Sequence, residues 1–189
     1  MPKLTFEANG HRYLWADRPV PSVTQILDSS FPFQGRGMVA QRAADFGTAV
    51  HKAIELKFNG KLDESSLDDS LIPYINQFEN FTHQVSNFQL ISSETRLYSK
   101  AYGYAGTIDL VCSEVYDVKT GSPSPVHRAQ VAAYRRLWNE NNKVKIKRSA
   151  IIYLDGTDKE PEIVYEKPSD FGVFLACLEI YKFKKVEGV

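Results

Sequence analysis

The chain opens with two short alternating runs, Leu4-Thr5-Phe6 and Arg12-Tyr13-Leu14-Trp15, on either side of Asn9-Gly10. A period of two around Asn-Gly predicts a β-hairpin. Val20-Pro21-Ser22 then leads into Val23-Thr24-Gln25-Ile26-Leu27, where Ser22 can cap a short helix. Residues 31–37 read as a loop carrying two aromatics, Phe31 and Phe33. A long helix is predicted from Met38 to Phe58. Leu71, Ile72, Ile75, Phe78, Phe81, Val85 and Phe88 recur at spacings of three and four, which predicts a second amphipathic helix over 71–88. Strands follow at 89–99, 104–112 and 114–120, with a turn at Tyr102-Gly103. Pro125 suits the first turn of a helix over 125–141, because no amide donor is needed there. Two more strands, 149–154 and 162–165, flank a turn at Asp155-Gly156-Thr157-Asp158. A closing helix over 169–184 packs through Phe171, Phe174, Leu175, Leu178 and Tyr181. This order predicts an α/β (α+β) fold with a mixed central sheet covered by helices.

Length and composition narrow the class. The 189 residues allow one well-buried core and are few for two. We expect a single domain over 1–189, with an N-terminal hairpin and loop at 1–37, a helical region at 38–88 and a sheet core at 89–189. Hydrophobic and charged fractions of 43% and 24% exclude disordered and collagen-like classes. No apolar run approaches a membrane span, and the N-terminal segment lacks the apolar stretch of a signal peptide. Cys112 and Cys177 cannot build a four-cysteine zinc or iron–sulfur site. A cytoplasmic, reducing setting is expected. The formal net charge is zero, so any nucleic-acid binding must come from a local patch. Lys143, Lys145, Lys147 and Arg148, with Arg135 and Arg136 upstream, are the candidate patch, and a solvated loop is the plain alternative.

The chemistry concentrates in residues 106–119. Two β-rich runs each carry an aspartate, Asp109 and Asp117, and Lys119 follows the second. Residues two apart on a strand share a face and lie roughly 6.6 Å apart. Asp117 and Lys119 therefore aim at one spot, and a hairpin would bring Asp109 to it. Two carboxylates and an ammonium there suit a hard cation and metal-assisted attack of water on a phosphodiester. His51 and Glu55 share a helix face, four residues after Gly47 in the case of His51. A mid-helix glycine costs about 1 kcal/mol relative to alanine, which points to close approach by a neighbour. Glu94 shares a strand face with Arg96 and Tyr98, and Gln130 shares a helix face with Tyr134. Gly106, three before Asp109, leaves room for a ligand backbone. Taken singly, His51, Glu94, Gln130 and Tyr134 also read as ordinary packed or solvated residues.

As an ordered set these residues resemble the PD-(D/E)XK nuclease superfamily, and within it the RecB-like exonuclease branch. The set runs from Gly47 and His51 through Glu94, Gly106-Thr107-Ile108-Asp109 and Asp117-Val118-Lys119 to Gln130 and Tyr134. Ile108-Asp109 stands where the superfamily's name has Pro-Asp. The start resembles small stand-alone nucleases of phage and prophage. The resemblance implies a restriction-endonuclease-like core and a metal-dependent DNA exonuclease leaving 5′-phosphates, serving phage or bacterial recombination or processing. It implies Mg²⁺ or Mn²⁺ held by His51, Asp109, Asp117 and the Val118 carbonyl, with histidine favouring Mn²⁺. Glu94 would hold a second metal or a metal-bound water. Lys119 would orient the attacking water, and Gln130 and Tyr134 would position Lys119 or a phosphate. No iron–sulfur cluster is expected. The partners implied are linear DNA and an annealing protein or helicase; relatives include rings and monomers, which leaves the oligomeric state open. A structure-specific endonuclease and a catalytically silent DNA-binding protein are the alternatives. Phe31, Phe33 and Arg36 could wedge a DNA end or anchor their loop on the core.

Overall fold

Ser22 starts the first helix with a complete capping box. Its hydroxyl accepts from the Gln25 amide and its own amide donates to the Gln25 side chain. The computed structural model, which describes residues 3–32, 37–85 and 88–188, holds five α-helices, a short 3₁₀ helix and eight strands among those residues. Strands β1 (Leu4–Glu7), β2 (Arg12–Trp15) and β3 (Arg18–Val20) form a small antiparallel sheet. Helix α1 (Val23–Asp28) follows, then α2 (Met38–Phe58) and α3 (Ile72–Gln84). Strands β4 (Ser92–Ser99), β5 (Tyr104–Val111) and β6 (Val115–Lys119) form a meander. Helix α4 (Pro125–Asn141) crosses to β7 (Ser149–Tyr153), which lies parallel to β6. Strand β8 (Glu162–Tyr165) pairs antiparallel with β7, and α5 (Asp170–Glu187) closes the chain. The five-stranded sheet runs β4-β5-β6-β7-β8 and is mixed, as the pattern predicts.

Helices cover both faces. Tyr104, Ile108, Val111 and Val115 pack against α1, α4 and α5 through Ile26, Leu137 and Phe174. Leu110, Tyr116, Val118 and Ile152 pack against α2 and α3 through Val50, Ile54, Ile75 and Phe81. Cys112 and Cys177 are free and buried in these two separate clusters. Among the described residues, no helix is long and apolar enough to cross a membrane.

Three departures from the pattern stand out. β3 is an extra strand, turned tightly from β2 by Ala16 and Asp17, both at positive φ (51° and 61°). That turn needs two residues in a conformation usually left to glycine or asparagine, and neither is present to signal it. The apolar stripe over 71–88 overruns its helix, because the chain turns extended at Val85 after Gln84. Phe88 still packs on Phe58 and Phe81, so its place in the stripe reflects burial and not helix. β4 begins at Ser92, three residues after the apolar–polar alternation starts.

Candidate metal centre and active site

The site forms where two paired strands part. β5 and β6 pair at Leu110–Tyr116 and Val111–Val115, and the pairing stops there. The next residues along are Asp109 and Asp117. The Val118 amide, freed from the ladder, donates to Asp109 Oδ2 at 2.8 Å. On its other side Asp117 keeps its place against Ile151 of β7. The alternation along β5 also changes phase here. Ile108 and Val111 face one cluster, whereas Leu110 and Cys112 face the other. Glu94 sits between Ser93 and Thr95, whose β5 partners Leu110 and Ile108 flank Asp109, and takes a left-handed φ of 47°. A non-glycine residue held there stores about 1–3 kcal/mol of strain, a feature concentrated at functional sites.

Gly47 explains how α2 reaches this break. A β-carbon at that position would lie 3.2 Å from Thr120 Oγ1, so the glycine lets the helix approach the end of β6. One turn later His51 meets the site: Nε2 is 2.8 Å from the Val118 carbonyl and Nδ1 is 3.4 Å from Asp109 Oδ2. A carbonyl only accepts, so Nε2 carries the proton and donates it. Nδ1 then faces a carboxylate oxygen, and a proton or a cation must compensate that pair. This is the arrangement of a metal-binding histidine whose far nitrogen is oriented by a backbone carbonyl.

Glu94 completes the cluster. His51, Glu94 and Asp109 each offer a donor atom, and the three lie within 4.8 Å of one another. They line a cavity of about 10 Å³ together with Ile54, Leu110 and Val118, which is room for one water-sized body. Burial, and then the charge of Asp109, pushes the Glu94 carboxyl up to about 7. Burial raises Asp109 as well; His51 opposes this and Asp117 adds to it. Two crowded carboxylates and one imidazole could hold a metal ion, and a hard divalent cation would relieve their repulsion.

Asp117 lies beside this trio and turns toward Lys119 and α4. Lys119 Nζ is 2.7 Å from Asp117 Oδ2, and that oxygen has no aligned hydrogen bond. Gln130 donates to Asp117 Oδ1 at 3.2 Å and to the Tyr134 hydroxyl at 3.0 Å. Burial works against the charge on Lys119, but Asp117 and Asp109 outweigh it and hold the ammonium above its usual pKa. Burial raises the Tyr134 phenol well above its ordinary value, followed by the charges of Asp117 and Asp109. Gly106 serves Tyr134: a β-carbon there would fall 2.8 Å from the tyrosine ring. The space it leaves is filled by α4 and not by a ligand.

The structure therefore brings His51, Glu94 and Asp109 into one cluster, with the Val118 carbonyl on His51. Asp117, Lys119, Gln130 and Tyr134 form a chain beside it. Glu55 also borders the cavity but pairs with Lys52 at 2.7 Å. Phe31 is exposed, and Phe33 and Arg36 lie outside the described residues. Two neighbours escaped the sequence reading. Tyr153 lies opposite Lys119 in the β6–β7 register, and its hydroxyl meets His127 Nδ1 at 2.8 Å and the Ser124 amide at 3.3 Å. Burial, and then Lys119, lowers the His127 pKa. Only the parallel pairing of β6 with β7 brings them together, and nothing in their local sequence signals it.

No family model matches the sequence, and no curated protein matches it either. A solved structure shares its architecture. A proposed exonuclease from Eubacterium rectale is 11% identical and superposes with a TM-score of 0.53 over 90% of this chain and 76% of its own. LHK-Exo, solved in complex with dAMP, is 8% identical and covers 89% of this chain and 93% of its own. Its TM-score of 0.36 is too low to carry an argument. The likeness to the Eubacterium rectale protein is one of fold.

Proposed function

We propose that the protein is a metal-dependent DNA exonuclease of the PD-(D/E)XK type. The observation that carries this reading is the convergence of His51, Glu94 and Asp109 within 4.8 Å beside a lysine held on a buried carboxylate. The fold shared with a proposed exonuclease supports it. His51, Glu94 and Asp109 would hold Mg²⁺ or Mn²⁺, and Asp117, whose Oδ2 pairs with Lys119, lies beside them as a further donor. When bound, the cation would lower the pKa of its water and stabilise the leaving 3′-oxygen, which gives 5′-phosphate products.

The chain's own residues supply the rest. The Val118 carbonyl keeps His51 Nδ1 turned toward Asp109. Lys119 stays an ammonium near neutral pH, so it can orient water and offset negative charge as phosphorus becomes five-coordinate. Gln130 fixes the Asp117 carboxylate, and Tyr134 fixes Gln130. Phage or bacterial DNA processing, beside an annealing protein or helicase, is the setting this reading fits. The test is digestion of end-labelled linear DNA next to a closed circular plasmid, with Mg²⁺, Mn²⁺ or EDTA. Metal-dependent loss of the linear DNA alone is expected. Cutting of the circle would make the protein an endonuclease, and no hydrolysis of either with both metals would refute the assignment.

A further inference from the structure

Beside the cation cluster, the outer face of β4 and the small sheet packed on it carry aromatic rings covered by unneutralised cations. The Arg96 guanidinium lies 4.3 Å from the centre of the Phe6 ring, and Lys100 Nζ lies 5.5 Å from that of Trp15. Both cations are exposed, and among the described residues neither is in ion-pair range of a carboxylate. Trp15 in turn stacks on Tyr98 at 4.5 Å. This surface is fastened to the site: the Tyr13 and Thr107 hydroxyls share a 2.6 Å hydrogen bond two residues before Asp109. Arg96 follows Glu94 by two on the same strand. From Arg96 to Lys100 the strand direction covers roughly 13 Å.

Most of the other basic stretch is engaged, although Lys143 and Lys147 are exposed and, among the described residues, out of ion-pair range of a carboxylate. Lys145 donates to the carbonyls of Asn139 and Asn142 at the end of α4. Arg148 pairs with Glu114 at 3.2 Å and covers Tyr165, and Arg135 pairs with Glu166. Arg136 lies elsewhere, over Tyr102 and Phe171. The net charge is zero, and among the described residues this strip sets free cations and rings in alternation beside the cluster.

We propose that this strip is the track on which an unpaired DNA strand lies as its end reaches the cation cluster. The inference rests on the nuclease reading and adds to it the surface and the strandedness of the substrate. Arg96 and Lys100 take backbone phosphates, and the edges of Phe6 and Trp15 take bases, which any base can satisfy through its π-face. A duplex keeps its bases stacked inside and offers the rings nothing, so the unpaired strand is preferred.

The test is fluorescence anisotropy of a labelled dT 20-mer and a blunt duplex of equal length, in EDTA so that nothing is cut. The double variant Arg96→Gln/Lys100→Gln keeps the stems on the rings, and equal melting temperatures verify its fold. It should bind the dT 20-mer at least about tenfold more weakly. Its salt slope should be smaller by about 1.4, two lost phosphate contacts on a single strand. Lys147→Ala/Arg148→Ala should bind within about twofold of wild type. Unchanged binding in the first variant, an equal loss in the second, or a duplex bound as tightly as the single strand would overturn the track. Binding is read without hydrolysis, so a wild type that binds the strand but cuts nothing removes the nuclease reading and leaves the track standing. Hydrolysis by a wild type whose variant binds normally does the reverse.

Discussion

Glu94 combines a left-handed backbone with a carboxyl whose pKa is pushed up to about 7 from the usual 4.5. Neutral Glu94 therefore favours the folded, metal-free state. That contribution is full below about pH 4.5 and lost as pH rises through about 7. With solvent screening of this partly exposed group, the loss is about 1–2 kcal/mol. Urea unfolding in EDTA should show wild type weakening between pH 5 and pH 8 and Glu94→Gln weakening much less; parallel profiles would exclude the electrostatic account. The same proton must leave when a cation enters. Mn²⁺ affinity should thus rise roughly tenfold per pH unit below 7 and level off above it, which calorimetry at several pH values can measure. Added Mn²⁺ should also restore stability at pH 8, where the metal-free carboxylates repel each other most.

At the scale of elements, two glycines and a serine set positions. Gly106→Ala forces a β-carbon into the Tyr134 ring. Overpacking of this kind costs about 1–3 kcal/mol, and here it also displaces the Tyr134–Gln130–Asp117 chain. Denaturant unfolding and turnover should fall together, and a fully active, equally stable variant would show that Tyr134 is not fixed by this contact. Ser22→Ala removes the capping box of α1 at about 1 kcal/mol, visible as a lower melting temperature with turnover unchanged. The helices and most strands were legible in the sequence because their periodicities are long or flanked by Gly, Pro or Ser. Pro125–Asn141 and Glu162–Tyr165 begin and end where the pattern places them. β3 was hidden because Ala16 and Asp17 turn without glycine. Asp117 and Lys119 could be named because strand alternation gives them a shared face, whereas His51, Glu94, Gln130 and Tyr134 stood out only as an ordered set that resembles a known superfamily. Their geometry was not legible: the parting of β5 from β6, the phase change at Asp109 and the left-handed Glu94 depend on pairing between strands. Gly47 and Gly106 signalled close approach, but only the packing identifies Thr120 and Tyr134 as the neighbours.

At the scale of the whole molecule, a neutral chain places one small cavity of carboxylates at the break in its sheet and a strip of free cations beside it. The charge separation is local, so overall charge says little about where DNA would bind. On the proposed function, the His51–Glu94–Asp109 cluster holds a divalent cation that works with Lys119. The most direct measurement is hydrolysis of labelled linear DNA by wild type and Lys119→Ala in Mn²⁺, with bound Mn²⁺ determined on the same samples by electron paramagnetic resonance. Both proteins should bind Mn²⁺, and Lys119→Ala should turn over at least about 100-fold more slowly. A wild type that binds no Mn²⁺, or a Lys119→Ala variant that hydrolyses DNA at nearly the wild-type rate, would contradict this reading.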